Sequence, residues 1–479
     1  MAKSGQRIDE LVVSSNFIRA VRESGYLSLS TALAELVDNS LEAEASEVSI
    51  SIERETPTAL PAITVIDNGV GMTRTELENC LRFGGSSRFD TRDSFGRFGM
   101  GLPAASLSQA RRVEVTSWRG RGEYRVSLDV DAITEGRGPS LVARRVGAGR
   151  STSGTRVCWS ECDRIEYQRL AWLERALRRD LGRMYRRFIQ NGVSLKINGV
   201  PVDAFDPLLL DAEFEGSRAS LAFEPITYEI ESVSGRLSTV TVNFSMLPVH
   251  AWHHLDNVTK RRIGVVGQGG VSILRAGREI ASGWLLMGSK RKENYDDWWR
   301  CEIEFDPVLD DHFGITINKQ GIRPSATLSE ALEPEMEAIA RLLNARVREA
   351  FEEVKFQAAA ATSCRIAHAA EAVLPPIKGR RVKGPINYRL GSAALPNGEM
   401  LTHSLKRQTL DVTLSTDHPA FAALFGPLET MGDSDENHLR TAVELLLLSH
   451  IRACYQMGVS GTDMLHAWGE TYSRMLQRA

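Results

Sequence analysis

The sequence lacks several features that would assign it to a protein class at once. Six cysteines occur in 479 residues, and Cys158 and Cys162 form a single CxxxC pair with no second pair near it. This spacing favours incidental thiols over a zinc site or a disulfide framework. The apolar run "AVELLLLSHI" is shorter than the roughly 20 residues that span a membrane, and the N-terminus has no apolar signal-peptide core. We therefore expect a cytoplasmic protein with no membrane partner.

Charge and phosphate-binding motifs are also sparse. The net charge is -3 and 25% of the residues are charged, which is ordinary for a globular protein. The whole molecule is therefore not expected to attract nucleic acid, although local basic patches can still bind it. No GxxxxGK[ST] motif occurs anywhere in the chain, which excludes a P-loop nucleotide site.

One amphipathic helix carries an unusual polar face. The stretch "TALAELVDNSLEAEA" predicts a helix over 29–44, with Ser28 or Ser30 as its N-cap. At 3.6 residues per turn, its apolar side chains lie on one side. A tight polar arc lies opposite: Glu35, Asp38, Asn39 and Glu42. Such an arc is either a solvated surface or the wall of a metal and nucleotide site, and the helix alone does not decide between them.

Two glycine-rich stretches follow. In "ITVIDNGVGM" a predicted strand ends at Asp67, and Gly69 and Gly71 come next. A carboxylate can accept a hydrogen bond from an amine such as that of adenine, and glycine lets a ligand approach the backbone. In "SFGRFGMGLPAAS" several glycines precede a helix, whose first N–H groups suit phosphate. Each pattern alone is weak, because many turns look like this.

Together and in this order, the motifs resemble those of the GHKL ATPase superfamily, which includes gyrase B, the ninety-kilodalton heat-shock chaperones, histidine kinases, MutL and the MORC proteins. The series is ExxDN on a helix, DxGxG after a strand, GxxGxG opening a helix, and Gly154-Thr155 before a later strand. The stretches "RFGGSS" and "FGRFGMGLPAAS" are most similar to the MORC pattern. Pro103 stands where MORC-like lids tend to carry a lysine.

The resemblance implies a role for each matched residue. Glu35 would be the general base, and Asn39 would bind magnesium, a hard cation that prefers oxygen ligands. Asp67 would read adenine, with Thr155 nearby, and Lys319 in "NKQ" would reach the γ-phosphate from a second domain. ATP and Mg²⁺ are the implied cofactors. The other residues expected at the nucleotide are Asp38, Gly69, Gly71, Met72, Gly84, Ser86, Ser87, Gly96, Arg97, Phe98, Gly99, Met100, Gly101 and Leu102.

The resemblance also implies an α+β fold. We expect a Bergerat-fold α/β sandwich, with a mixed, mostly antiparallel sheet and helices on one face. A transducer-like α/β domain, resembled by "GGVSILRAGREI" and "FGITINKQGIRP", and a small, mainly helical C-terminal domain should follow. The expected divisions are an N-terminal arm at 1–27, the ATPase domain at 28–205, the transducer-like domain at 206–350, a helical segment and linker at 351–404, and a C-terminal α/β domain at 405–479.

Two details of this prediction concern single elements. The stretch "QRLAWLERALRRDLGRMYRRFI" predicts one long helix, since its apolar residues keep a helical period. The last 75 or so residues predict one strand, "TLDVTLS", with two or three helices.

Two functions from different classes stay open. The first is a slow, magnesium-dependent ATPase that closes as a homodimer clamp on DNA, with a DNA-processing or phage-defence role by analogy. Two basic stretches keep DNA open: "GSKRKENYDDWWR", where the basic residues 290–292 are interleaved with tryptophans that could stack on bases, and "KGRRVKGP" at 378–385. Each is short, and a solvated loop is the safer interpretation of both. The alternative is a chaperone-like or signalling scaffold that uses ATP as a binding switch, without DNA. In either case a partner protein would use the C-terminal domain.

Overall fold

A computed structural model describes residues 14–26, 28–56, 58–85, 99–120, 122–135, 141–148, 150–165, 169–315, 321–377, 384–430, 433–457 and 464. The chain divides into two compact units. The first contains residues 1–248 and 256–340, and the second contains residues 249–255 and 341–479.

The first part of unit 1 is an eight-stranded sheet with helices. The helices are α1 (Ser14–Ser24), α2 (Leu29–Glu42), α3 (Arg74–Asn79), α4 (Gly101–Gln109), α5 (Val130–Thr134), α6 (Leu170–Met184) and α7 (Arg186–Gln190). The strands are β1 (Glu47–Glu53), β2 (Ala62–Asp67), β3 (Arg112–Arg119), β4 (Gly122–Asp129), β5 (Arg144–Ala148), β6 (Gly154–Ser160), β7 (Ser194–Ile197) and β8 (Val200–Pro201).

The sheet is mixed and mostly antiparallel. Its strand order is β5-β4-β3-β6-β2-β1-β7-β8, and β1 pairs with β7 in parallel while β1 and β2 run antiparallel. Burial alternates along β1, where Val48 and Ile50 lie in the core but Ser49 is half-exposed. Alternate side chains of a strand point to opposite faces, so one face of the sheet packs on the helices. The predicted α+β sandwich is confirmed.

Local chemistry explains where α2 begins. The side chain of Ser28 accepts a hydrogen bond from the backbone N–H of Thr31 at 3.2 Å, which satisfies one of the donors that a helix start leaves open. Of the two predicted caps, Ser28 is therefore the one used. From this start, the helix buries Leu33, Leu36 and Val37 in the core.

The helix predicted over 168–189 is wrong in one respect, because it is two helices. Helix α6 ends at Met184 and α7 begins at Arg186, while Tyr185 between them has φ -107° and ψ 16°. The side chain of Tyr185 is fully buried, and its hydroxyl bonds to α2. The spacing of apolar residues shows which face of a helix is buried. It gives no sign of the break at Tyr185, because this residue is buried as the helical spacing predicts.

A second sheet completes unit 1. Its strands are β9 (Ser220–Leu221), β10 (Ile226–Glu231), β11 (Leu237–Met246), β12 (Gly270–Arg275), β13 (Arg278–Gly283) and β14 (Trp299–Phe305). The order is β10-β11-β14-β12-β13, with β9 on β11. Strands β12 and β13 form the hairpin "GGVSILRAGREI", and β12 runs parallel to β14. Of the short helices in this stretch of the chain, α8 (Val249–Trp252) belongs to unit 2, whereas α9 (Asn257–Arg262) and α10 (Asp310–Phe313) belong to unit 1.

The C-terminal elements include more strand than predicted. After α11 (Ala326–Ala359) and α12 (Ala361–Ala370) come β15 (Asn387–Ala393), β16 (Leu401–Lys406), β17 (Thr409–Ser415), α13 (Pro419–Phe425) and α14 (Asp433–Met457). The predicted strand "TLDVTLS" is β17, the centre of a three-stranded sheet. Strands β15 and β16 begin inside the stretch predicted as a linker. Its proline and glycine residues are typical of loops, so the sequence did not predict these strands.

No helix in the described parts of the chain is both long and apolar enough to cross a membrane.

Candidate nucleotide site

The polar face of α2 is not a solvated surface. Glu35 is 4% exposed and Asp38 is 1% exposed, although charged side chains are rarely buried without a partner. Asn39 and Glu42 are half-buried. Glu35 and Asn39 are four residues apart, so they lie on one side of the helix one turn from each other. The structure therefore favours the site interpretation of this helix over the solvated one.

Glu35 faces the start of α4. A Cβ placed on Gly101 would overlap the Oε2 atom of Glu35, so the carboxylate lies directly against the first residue of that helix. Met100, at the N-cap, makes no side-chain capping hydrogen bond within the described residues. The first backbone N–H groups of a helix have no partner within the helix, and helix starts bind phosphate through these groups. The predicted base, Glu35, is thus adjacent to the helix start that the sequence predicts to bind phosphate.

Asp67 lies at the end of β2 and accepts hydrogen bonds on both oxygens. The N–H groups of Gly69 and Thr155 donate to Oδ1 at 2.9 and 3.2 Å, and the Ser40 hydroxyl donates to Oδ2 at 3.1 Å. Burial raises the pKa of Asp67, and these three donors partly offset that rise. A buried carboxylate held in this way is a fixed acceptor for an amine.

The backbone beside Asp67 is tightly packed. Gly71 has φ +68°, and a Cβ there would lie 2.5 Å from the carbonyl oxygen of Trp118, so only glycine fits. The hydroxyl of Ser117 lies 3.1 Å from that of Thr155 and accepts from the N–H of Met72 at 2.8 Å. Met72 and Thr155, both predicted at the nucleotide, therefore share one hydrogen-bonded cluster near Asp67.

Of the predicted phosphate-binding residues around α4, those at 84 and 99–102 are described. Gly84 donates its N–H to the carbonyl of Gly99 at 3.1 Å, so a hydrogen bond joins residues that come before and after 86–98 in the chain. Met100 and Leu102 are half-buried at the start of α4. The remaining predicted site residues lie outside the described residues: Ser86, Ser87, Gly96, Arg97, Phe98 and Lys319.

Asp38, predicted at the nucleotide, is bound by two side chains of the protein. Its Oδ1 atom lies 2.8 Å from Nε of Arg278 and 2.7 Å from the hydroxyl of Tyr185. It is thus bound to protein groups on the side of α2 away from solvent. Arg278 and Tyr185 are distant in sequence from α2, so no local pattern could have revealed them.

Tyr26 is another residue that the sequence did not single out. Its hydroxyl donates a hydrogen bond to the Glu35 carboxylate, and burial, followed by the charge of Glu35, raises the pKa of the tyrosine. Residues 14–26 belong to the predicted N-terminal arm, yet Ile18 and Tyr26 are buried in the core that the first sheet forms with its helices. Arg22 donates to the carbonyls of Leu107 and Ala110 at 3.0 and 2.7 Å, which docks α1 on the end of α4.

The chemistry of these groups fits ATP with magnesium. Asp67 offers an acceptor for adenine, the start of α4 offers N–H groups for phosphate, and Asn39 offers an amide oxygen for the cation. In the described residues no group of three or more His, Cys, Asp or Glu side chains is placed to hold a metal. Magnesium at nucleotide sites takes one or two protein ligands and completes its shell with phosphate and water, so one amide is compatible with it.

One proposed nucleic-acid stretch has a different structure from that expected. In "GSKRKENYDDWWR" the aromatic residues Trp298 and Trp299 are 6% and 0% exposed, so they pack in the core and do not offer faces for base stacking. Lys290 is buried and pairs with Asp296 at 2.8 Å. Arg291 and Lys292 are exposed. Of the other basic stretch, 378–383 lies outside the described residues.

Comparison with known proteins finds a similarity over the first part of the chain. A family model described as histidine kinase-, DNA gyrase B- and HSP90-like ATPase matches residues 27–144, which contain Glu35, Asn39, Asp67 and Gly101. The ATPase MORC2B of Mus musculus is 38% identical over 78 residues, which is 16% of this chain and 8% of that relative. The match thus covers a small part of the relative's length. Residues 27–144 are thus similar to the histidine kinase-, DNA gyrase B- and HSP90-like ATPases, and part of the chain is similar to a MORC ATPase.

Proposed function

We propose that this protein is a magnesium-dependent ATPase of the GHKL type. The observation that carries the proposal is the buried carboxylate of Glu35 against Gly101, where α4 begins. A general base must lie within hydrogen-bond reach of the water that it activates. A carboxylate at a helix start that suits phosphate meets this need, because the water attacks the terminal phosphate.

The other residues would bind and orient the nucleotide. Asp67 would accept from the adenine amine, and Gly99 to Gly101 would hold phosphate oxygens. Asn39 would hold Mg²⁺, which neutralises charge on the phosphates when bound. Tyr26 donates to Glu35, and this hydrogen bond would orient the carboxylate. We also propose, from the resemblance alone, that Lys319 stabilises charge at the γ-phosphate.

We further propose that ATP binding closes two chains into a homodimer clamp that holds DNA. The support is the resemblance to MORC ATPases and the exposed pair Arg291 and Lys292 in the second sheet's loop. The alternative function, an ATP-switched scaffold without DNA, uses the same nucleotide site. Hydrolysis therefore tests the site, and DNA retention separates the two functions.

The first experiment measures phosphate release with ATP and Mg²⁺ for wild type and Glu35→Gln. We expect slow turnover in wild type and a loss of about 10²-fold or more in the variant, since a positioned base contributes that much. ATP affinity, measured by calorimetry, should stay within about threefold because the carboxylate acts on water.

The matched control is Glu44→Gln, which changes an exposed carboxylate just after α2. It should turn over ATP as wild type does. Absence of ATP binding in wild type would overturn the proposal at its root. Equal turnover in wild type and Glu35→Gln would remove Glu35 from the role of base.

A further inference from the structure

Buried charges join the two sheets of unit 1. Arg183 and Arg186, at the end of α6 and the start of α7, bind the carboxylate of Glu279 on β13 at 2.6 and 2.8 Å. Arg186 also binds Glu302 on β14 at 2.6 Å, and Arg187 binds the same carboxylate at 2.7 Å. We call these five residues the arginine joint. Because buried ion pairs are costly unless each group is matched, the joint fixes the position of β13 against α6 and α7.

Arg278, next to the joint residue Glu279, contacts α2, the helix that carries Glu35. It precedes Glu279 on β13, and its Nε lies 2.8 Å from Oδ1 of Asp38 on α2. Its guanidinium lies 5.8 Å from the ring centre of Tyr185 and 3.4 Å from the tyrosine hydroxyl. That hydroxyl is also 2.7 Å from the carbonyl oxygen of Ala34. Arg278, Tyr185 and Asp38 thus connect the second sheet to two successive turns of α2.

The connection is electrostatically strong because all three side chains are buried. Arg278 is 4% exposed, Asp38 1% and Tyr185 1%. Burial alone would lower the pKa of Arg278, but Asp38, then Tyr185 and Glu35, outweigh burial and raise it. The cation is therefore permanent. It also allows a second carboxylate, Asp38, to be buried three residues from the base.

A neighbouring arginine shows that this contact is not a requirement of the hairpin. Arg275 on β12 pairs directly with Arg278 in the strand register and is 3% exposed. It binds Asp310 at 2.6 Å, and α10, which carries Asp310, follows the second sheet in the chain. Of these two paired, buried arginines, Arg275 binds a helix that follows the second sheet, whereas Arg278 binds α2 beside the first sheet.

We propose that Arg278 is a positioning residue for ATP hydrolysis, which sets the orientation of α2 through Asp38 and so links the second sheet to Glu35 and Asn39. This inference rests on the proposed ATPase function. Asp38 lies between Glu35 and Asn39 on one helix, so a rotation of α2 about that anchor displaces both. A misplacement of about 1 Å costs roughly 10²-fold in rate.

The test compares Arg278→Gln with the matched variant Arg275→Gln, which also leaves a buried aspartate without its arginine. We expect Arg278→Gln to lower kcat about tenfold or more while the Kd for ATP stays within about threefold. Arg275→Gln should lose stability but keep its kcat at a temperature where it is folded. Arg278→Lys keeps the charge and should recover part of the rate.

A double variant keeps the test decisive if Arg278→Gln folds poorly. In Asp38→Asn/Arg278→Gln two neutral amides replace the ion pair, so no buried charge is left alone. The double variant should be more stable than either single variant and should regain part of kcat. Equal loss of kcat in Arg278→Gln and Arg275→Gln, in proportion to their loss of stability, would overturn the positioning role.

Hydrogen exchange separates this inference from the ATPase proposal itself. Amide exchange in 29–42 should accelerate in Arg278→Gln and not in Arg275→Gln, and this measurement needs no turnover. If wild type proves to hydrolyse no ATP, the ATPase proposal fails. The anchoring of α2 by Arg278 would still be supported by the exchange difference, or overturned by its absence.

Discussion

At the scale of single residues, burial of Asp67 disfavours the ionised carboxylate that its proposed role requires. The unfolded chain leaves its carboxyl in water, whereas the fold buries it and raises its pKa despite three hydrogen-bond donors. Because the pKa of this carboxyl is higher in the folded chain than in the unfolded chain, its protonation stabilises the fold. The stability from this group is therefore complete below the unfolded pKa and is lost as pH rises through the folded pKa. The ionised form, which in our proposal accepts from adenine, is thus held at a cost in stability.

This opposition predicts the behaviour of Asp67→Asn. The amide keeps the size of the side chain, and its oxygen can still accept from Gly69 and Thr155, so the fold should persist. We expect ATP affinity to fall about 10- to 100-fold, because a hydrogen bond to a charged group contributes roughly 1.5–3 kcal/mol. Calorimetric titration with ATP measures the loss. As pH falls through the raised pKa of Asp67, wild-type affinity should decline towards that of the variant, since protonation removes the charged acceptor.

A suitable control is Asp206→Asn. Burial also raises the pKa of Asp206, and its carboxylate accepts from the N–H groups of Leu208 and Leu210, but it lies outside the proposed site. Its variant should bind ATP as wild type does at every pH. If both variants lost affinity equally, general destabilisation would explain the result and Asp67 would not be the adenine acceptor.

At the scale of elements, the meeting of α2 and α4 decides what Gly101 does. The sequence suggested that this glycine brings backbone close to phosphate. The structure adds a second requirement, because a side chain at this position would overlap Oε2 of Glu35. The carboxylate end of Glu35 can move more easily than backbone, so a larger residue at 101 should displace the base before it disrupts the helix.

We therefore expect Gly101→Ala to fold and to bind ATP while losing about tenfold or more in kcat. Alanine is also the better helix former, by up to about 1 kcal/mol, which offsets part of the strain. Thermal unfolding and phosphate release measure the two effects. Gly426→Ala is the control, since a Cβ there meets nothing within 4 Å. A Gly101→Ala variant with wild-type turnover would show that Glu35 tolerates the displacement.

The elements near the site could be predicted from the sequence because their signals are local. Helix α2 was predicted within two residues of its observed end, since a helical period reports burial directly. The partners of these elements could not be predicted. Arg278 contacts Asp38 across 240 residues of chain, and Tyr185 lies at a kink that the apolar period passes over. A single sequence carries no signal for such tertiary contacts.

At the scale of the whole molecule, the charge restricts how DNA can be held. A chain with a net charge of -3 has no general attraction for a polyanion, so contacts at a few exposed cations would bind DNA weakly and in a salt-dependent way. A closed ring around the duplex avoids this weakness, because topology then retains the DNA when salt has screened the contacts. The clamp proposal therefore differs from simple surface binding in a measurable way.

The last prediction uses Glu35→Gln, which should bind ATP without hydrolysing it and therefore remain in the closed state. The variant is mixed with circular or linearised plasmid at low salt, given ATP and Mg²⁺, and then washed at high salt. We expect a species of twice the chain mass that stays on circular DNA and leaves linear DNA through its ends. Loss from both DNA forms, with the dimer intact, would favour the ATP-switched scaffold. An ATP-bound monomer would exclude the clamp, because one chain that does not pair cannot close around a duplex.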